Sequence, residues 1–522
     1  MSESLPYAPT TEADVCLLLE GTCPYVRGGV STWVKQIIEG LPELTFSIIF
    51  LGASEEDFKT PSYEIPGNVI HVECHCLLKG SEAPIKSQRQ WFKPKSMNDT
   101  FELNDKLHES LRSGQVDNET LSGFAQIMSG QEAVTEHDLQ HHRLAWESIR
   151  KQYLEAPEGL DFNHYFWTIR SMHGPLFVLS EIAENAPAAK RYHSVSTGYA
   201  GFLGALLKSK TGRPLLVSEH GIYTKERELD LAQVNWIPED YDPFRVGLSD
   251  QMSYLRRVWI RFFSSLGRMT YAASDEVFTL YEGNRLRQLK DGADEGRLRI
   301  IPNGVAIKPY AKVRRARNAP VPPVIGLIGR VVPIKDIKTF IRAMRVIRAS
   351  LPEAQGWLIG PEDEDPIYTE ECKQLVSSLD LEDAVIFKGF QKPAEMFPKL
   401  ALSVLTSVSE GQPLVALEGF AAGIPAVTTD VGSCSELIFG VTPEDKAIGA
   451  AGAVVPMASP TEFANAVLGL LSDQEAWQAA SDSAVKRVET YYTDEQMIES
   501  YRDVYSVHSG AGQDETRVGK AL

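Results

Sequence analysis

Residues Ser409 to Phe420 read Ser-Glu-Gly-Gln-Pro-Leu-Val-Ala-Leu-Glu-Gly-Phe, and they constrain the fold more than any other stretch. An apolar run, Leu402-Ser403-Val404-Leu405, precedes them. Phe420-Ala421-Ala422-Gly423-Ile424-Pro425 closes the segment with Gly and then Pro. The predicted order is buried strand, glutamate, tight turn, helix. Pro413 lacks an N–H and suits the first turn of that helix. Such a turn aims free backbone N–H groups and the positive helix end at one spot, which suits a phosphate. Glu410 sits at the mouth of that spot, and Glu418 lies about two helical turns further on. A diphosphate site with carboxylates close to hydroxyls is what chemistry on a sugar nucleotide needs.

The same strand–loop–helix order recurs. Asp14 to Glu20 is a predicted buried strand, followed by a Gly-containing loop and an amphipathic helix from Ser31 to Leu41, with Val34, Ile37, Ile38 and Leu41 on one face. Phe46 to Leu51 is the next strand, and the order opens a doubly wound sheet. Residues 78–157 are polar and helix-forming and predict a helical insertion. Strands resume at Tyr192 to Val195, Pro214 to Ser218, Asp275 to Leu280 and Leu298 to Ile301. A second series begins at Val324 to Gly329 and continues through Gly356 to Gly360, Ala384 to Phe390 and Ala426 to Thr429. Between the series, residues 309–323 hold the basic run Lys312 to Arg317 and then Pro320, Pro322 and Pro323, and are expected to form a solvated linker. The expected domains are 1–308 and 324–485, followed by a helix at 486–509 and a disordered tail at 510–522.

Composition excludes several classes. A chain of 522 residues is too long for one core and implies two or three domains. The net charge of −18, from 52 Lys and Arg against 70 Asp and Glu, argues against nucleic acid or an anionic membrane surface as a general partner. Six cysteines do not make a disulfide framework at this length. Cys74-His75-Cys76 has the wrong spacing for a zinc knuckle and continues the alternation of Val69-Ile70-His71-Val72, so a strand is expected. Met1 to Ala13 has no basic region of a secretion signal, and no window is long and apolar enough for a membrane span. A cytoplasmic protein is expected. Tyr254 to Phe263 is basic and aromatic; a core helix with its arginines outward is favoured over a membrane-docking helix.

Arg330 and Lys335 follow a predicted strand and a glycine. A guanidinium and an ammonium rising from one strand end can both reach one diphosphate. They would stabilise the charge left behind by transfer without a metal. Alone the pair would be ordinary surface charge; the Glu410 segment downstream favours a donor site. Gly28-Gly29 is either an ordinary turn or a loop whose N–H groups approach a phosphate, with Ser31 as the expected N-cap. The acidic loop Glu362 to Asp365 is expected to be solvated, and no Asp-x-Asp cluster stands beside the diphosphate site, so no metal is expected.

Five motifs stand in one order: Gly28-Gly29-Val30-Ser31, Ser218-Glu219-His220-Gly221, Ile301-Pro302-Asn303-Gly304-Val305, Gly329 to Lys335, and Glu410 with Glu418. Together they resemble the retaining GT-B glycosyltransferases with a Glu-x7-Glu motif, glycosyltransferase family 4, over about residues 14–505. Leu19 to Val34 and Glu219 to Arg227 are similar to the PelF family of cytosolic glycosyltransferases of bacterial Pel exopolysaccharide synthesis. The resemblance implies an α/β fold of two Rossmann-like domains facing across a cleft, with the last helix crossing back to the first domain. It implies transfer of a hexose from UDP-glucose or a UDP-N-acetylhexosamine to a growing exopolysaccharide, with retention. The implied partners are the UDP-sugar donor, a glycan acceptor and membrane-embedded polysaccharide synthase subunits. No cofactor and no metal are implied.

The resemblance also assigns roles. Glu410, His220, Arg330 and Lys335 are the implied catalytic set, with His220 and Glu410 near the transferred sugar. Glu418 is implied at the ribose hydroxyls, and Gly389 and Phe390 at the base. Gly28, Gly29, Gly411, Gln412, Pro413 and Leu414 are implied donor contacts. His193 is a weaker candidate for an acceptor or sugar contact, and Asn303-Gly304-Val305 is a turn near the cleft that is as apt to miss the ligand as to touch it. Glu226 could simply pair with Arg227, with an acceptor contact as the alternative. Asp336 stands where the family often has Gly, which puts the loop geometry in question. A glycogen-synthase-like enzyme and a non-catalytic nucleotide-sugar sensor are the competing readings.

Overall fold

Apolar runs bounded by Gly and Pro become strands in both halves of the chain, and every strand pair is parallel. The structure is a computed structural model and describes residues 12–26, 28–58, 60–78, 96–114, 118–129, 142–156, 160–233, 254–317 and 319–507. The expected disordered tail at 510–522 lies outside these residues, as do 79–95, 115–117, 130–141 and 157 of the expected insertion.

The first sheet contains β1 (Val15–Glu20), β2 (Phe46–Gly52), β3 (Val69–Cys76), β4 (Tyr192–Ser194), β5 (Leu215–Glu219), β6 (Glu276–Thr279) and β7 (Leu298–Ile300), in the order β3-β2-β1-β4-β5-β6-β7. The second contains β8 (Val324–Ile328), β9 (Gln355–Ile359), β10 (Val385–Phe387), β11 (Leu402–Leu405), β12 (Ala426–Thr429) and β13 (Gly452–Val455), in the order β10-β9-β8-β11-β12-β13. These are two Rossmann-like sheets. Strand order reverses between β1 and β4 in one and between β8 and β11 in the other. Crevices at such switch points, beyond the strands' C-terminal ends, are where open parallel sheets take ligands. The Gly28 loop follows β1; the Arg330–Lys335 and Glu410 loops follow β8 and β11.

Between β3 and β4 the described residues form the helices Ser96–Ser113, Asn118–Ser129, Arg143–Leu154 and Phe162–Asn185, so helical structure runs well past residue 157. Cys74 and Cys76 lie on a strand and are free thiols. The helix Tyr254–Ala273 is a core helix, with Leu255, Val258, Trp259, Phe262 and Leu266 buried. Its Arg261 does not point to solvent as expected: Nη1 donates to the Leu111 and Arg112 carbonyls at the end of Ser96–Ser113. No helix among the described residues is long and apolar enough to cross a membrane.

The basic run at 312–317 is solvated only in part: Lys312 and Arg317 are exposed, whereas Arg314 and Arg315 are packed on the second domain. Arg314 Nε donates to the Ala421 carbonyl at 2.8 Å, and Arg315 Nη2 donates to the Pro398 and Leu400 carbonyls. The guanidinium of Arg315 also lies over the Trp477 ring. Carbonyls at helix and strand ends need donors, and arginine has several to give. In the same domain Arg487 is fully buried against Asp445.

Residues 486–491 belong to the helix Gln474–Tyr491, and the helix that returns to the first sheet is Asp494–Val507. Its Met497, Tyr501, Val504 and Tyr505 repeat at helical spacing and join Trp33, Val34, Ile37 and Ile38 in one core. The two chain crossings between domains run side by side: the Val305 N–H donates to the Tyr492 carbonyl at 2.9 Å, and the Asp494 N–H to the Val305 carbonyl at 3.2 Å.

Candidate active site

The two switch-point loops of the second sheet are laced together. The Val408 N–H donates to the Ile334 carbonyl at 2.9 Å, and Thr406 Oγ1 to the Lys335 carbonyl at 2.8 Å. Lys335 is thereby placed so that its Nζ pairs with Glu410 Oε1, which also accepts from Ser407 Oγ at 2.6 Å. The two side chains are 19% and 12% exposed, so the pair sits at a partly desolvated floor rather than in open solvent. Asp336 has φ 43°, the left-handed conformation that favours Gly, and its carboxylate caps the following helix at the Thr339 N–H. The departure from Gly therefore keeps the loop conformation and adds a cap.

Arg330 pairs with Glu364 instead, and both are about half exposed. The acidic loop is thus not merely solvated: Glu364 holds Arg330, Glu362 pairs with Lys373, and Asp365 caps the helix Pro366–Ser378. An exposed ion pair is worth about 1 kcal/mol or less and is readily exchanged for an anion.

Glu410 leads into the helix Leu414–Ala421, with Pro413 at its N-cap position. Gly411 meets the other domain: a Cβ there would lie 2.4 Å from the His220 carbonyl oxygen. Behind it, Gly432 at φ +57° lets its loop approach the Glu410 and Gly411 carbonyls, and the Ser433 N–H donates to the latter at 2.9 Å. Gly29 faces Leu414, whose Cδ1 would be 3.8 Å from a Cβ at that position. The structure thus brings together Gly29, His220, Lys335, Glu410, Gly411 and Leu414, from both sides of one cleft. Ser31 is not the N-cap: the helix starts at Gly29, and Ser31 is buried with its hydroxyl donating to the Val26 carbonyl.

His220 follows β5. Its ring lies edge-on to Trp33 at 4.8 Å, and its Nε2 is buried without a hydrogen-bond partner among the described residues. Burial pushes its pKa down to about 4, so the imidazole is neutral near pH 7. A neutral ring with one unsatisfied nitrogen suits a sugar hydroxyl. The loop that carries it hangs on Glu219, which is buried and accepts from Thr197, Gln288, Tyr271 and the Tyr223 N–H. Trp33 and Glu219 carried no signal for these roles in the sequence beyond their neighbours.

Several expectations change. His193 is not available to a sugar: Nδ1 meets Tyr505 Oη at 2.6 Å and Nε2 meets Ser218 Oγ at 2.8 Å. The Gln412 side chain is committed to the domain junction, where its Oε1 accepts from the Asn303 N–H at 2.6 Å. Asn303 also donates to the Gln412 carbonyl, so that turn is a latch. Arg227 pairs with Glu20 and Asp230 and lies over the Tyr223 ring, rather than pairing with Glu226.

Glu418 faces Tyr310 and shares a hydrogen bond with it, and burial pushes its pKa up to about 7. Gly389, at φ +60°, and the exposed Phe390 follow the edge strand β10; the Gly389 carbonyl accepts from the Gly360 N–H at 2.9 Å. Among the described residues no three His, Cys, Asp or Glu side chains cluster to hold a metal.

Residues 13–296 match the family model DUF3492, a domain of unknown function, which spans more than half of the chain. The chain belongs to the DUF3492 family. Residues 322–473 of this DUF3492 protein match the model for glycosyl transferases group 1. It is 27% identical over 253 residues to the D-inositol 3-phosphate glycosyltransferase of Nocardia farcinica, covering 45% of this chain and 54% of that one. The chain thus spans about half the length of the curated relatives it matches. Among solved structures it is similar to sucrose-phosphate synthase from Thermosynechococcus elongatus, with TM-score 0.58 and 17% identity, covering 95% of this chain and 99% of the other. It is also similar to Anabaena HepE in complex with UDP and glucose, with TM-score 0.55 and 14% identity, covering 95% and 100%. The DUF3492 chain therefore has the GT-B architecture of those structures, with its helical insertion on the first sheet.

Proposed function

We propose that this protein is a retaining glycosyltransferase that moves a hexose from a UDP-sugar, UDP-glucose or a UDP-N-acetylhexosamine, to a growing exopolysaccharide of the Pel type. One observation carries the reading: the loop that holds the Lys335–Glu410 pair and opens the Leu414–Ala421 helix packs, through Gly411, on the backbone carbonyl of His220 from the other sheet. The group 1 match over that second domain and the UDP-bound structure with the same fold support a nucleotide-sugar donor.

In this reading the diphosphate draws Lys335 away from Glu410 and Arg330 away from Glu364. The helix N-terminus adds N–H groups, and the leaving diphosphate takes the proton of the attacking hydroxyl on the same face. Freed of its cation, Glu410 turns its charge towards the anomeric carbon as positive charge develops there. His220 Nε2 holds a sugar hydroxyl. Glu418 takes the ribose hydroxyls, Gly28 and Gly29 close over the donor, and Gly389 and Phe390 border the base. Closure of the domains excludes water and suppresses hydrolysis. No cofactor is needed, and the protein works in the cytoplasm beside membrane-embedded synthase subunits.

The test is calorimetric titration of the full chain with UDP, GDP and ADP, with and without magnesium, followed by turnover with UDP-sugars. Tight UDP binding that survives removal of magnesium, with sugar transfer, is expected. Preference for ADP would move the protein to storage-glucan synthesis. UDP binding with no transfer to any acceptor would favour a sensor.

A further inference from the structure

The basic run at 312–317 has no part in the cleft, yet it lines a cavity of about 370 Å³ on another face of the second domain. The cavity lies between that run and the helix Gln474–Tyr491. Its size is that of small-molecule sites, about 300–1,000 Å³.

Its charge is opposite to that of the protein. The chain carries −18 overall, but this cavity is lined by Arg314, Arg315, Arg317 and Lys486 against Asp482 and Glu489. Arg314 pairs with Glu489 at 2.8 Å and Arg317 with Asp482 at 3.5 Å. Two positive charges remain. Arg315 spends Nη2 on backbone carbonyls and stacks on Trp477, and Lys486 has no ion pair among the described residues. Burial depresses the pKa of Arg315, the mark of a cation held without a counter-ion. Arg314 Nη2 and Arg315 Nη1 are buried with no acceptor among the described residues. Both arginines line the cavity, and a guanidinium nitrogen left without an acceptor is a cost that an anion's oxygens would remove once the side chain swings to meet them.

We propose that this cavity binds a phosphate monoester on a sugar-sized body, its dianion matching the surplus of Arg315 and Lys486. Occupancy is felt at the candidate donor site through one short segment. Arg314 donates to the Ala421 carbonyl at the end of the helix Leu414–Ala421, and Tyr310, on the same segment, bonds Glu418 on that helix. Drawing Arg314 towards a phosphate loosens its hold on that helix end and shifts Tyr310 against Glu418. The coupling rests on the proposed donor role of Glu418; the anion site itself does not.

The experiment is calorimetric titration of the full chain, first saturated with UDP, with glucose 6-phosphate, glucose and inorganic phosphate. Expected is one site for glucose 6-phosphate, weaker for inorganic phosphate and absent for glucose. Lys486→Glu, on an exposed side chain outside the cleft, should weaken it at least tenfold while leaving UDP binding intact. The conservative Lys486→Arg should restore it. Absence of binding, equal binding to Lys486→Glu, or competition by UDP would overturn the site. UDP alone, titrated in parallel, separates failure here from failure of the donor reading. An affinity for UDP that is the same with and without glucose 6-phosphate would overturn the coupling.

Discussion

Replacing Glu418 by Gln removes a charge that its surroundings already resist. Burial lifts this carboxyl from 4.5 to about 7 in the free protein. A pKa difference of one is worth about 1.4 kcal/mol, so ionising Glu418 costs the folded state on the order of 3 kcal/mol. The folded form holds the proton more tightly than the unfolded chain. The associated stability is therefore fully present below pH 4.5 and lost as pH rises through about 7. Glu418 keeps some exposure, so we expect about 2 kcal/mol after solvent screening. Glu418→Gln should thus match the parent near pH 4.5 and exceed it by about 2 kcal/mol at pH 8, measured by urea unfolding of the second domain. The same change should weaken UDP binding at least tenfold, since hydrogen bonds to a charged acceptor are worth about 1.5–3 kcal/mol. Stability gained with affinity lost marks a charge kept for a ligand. A variant no more stable at pH 8 than at pH 4.5, relative to the parent, refutes the burial argument. Unchanged UDP affinity refutes the ribose contact.

Glu410→Gln should lower turnover about 10²–10³-fold. UDP affinity should hold or rise, because Lys335 is released; more than a tenth of parental turnover would remove Glu410 from the reaction. The His220 ring, with a pKa near 4, should stay almost wholly neutral by NMR between pH 8 and 6, and a titration near pH 6.5 would contradict its burial. Arg487→Met leaves Asp445 charged and buried, and should cost about 3–5 kcal/mol in urea unfolding. A loss below about 1 kcal/mol would mean that water or another cation reaches Asp445.

What was legible in the sequence was local. The strand, turn and helix around Glu410 are set by neighbouring residues, and so is the helix of the Gly28 loop. Parallel sheets followed from buried strands alternating with helices. What was not legible depends on residues far apart in the chain. Nothing near Arg330 indicates Glu364, and nothing near Glu418 indicates Tyr310, 108 positions earlier by number. His193 was a weaker candidate for a site residue; Tyr505 and Ser218 claim both its nitrogens. Ser31 misled because a serine before an amphipathic run usually caps a helix, whereas here two glycines let the helix begin earlier and bury it.

Tyr501 and Tyr505 stand against residues made long before them, and that sets an order of events during synthesis. His193 stands 312 positions before the Tyr505 hydroxyl that it bonds. Until residues 497–505 leave the ribosome, the face of Trp33, Val34, Ile37 and Ile38 has no cover from that helix. The half of the protein translated first is therefore the last to be finished. A nascent chain stalled before residue 494 should be a client for chaperones that hold apolar grooves, however well its second half has folded.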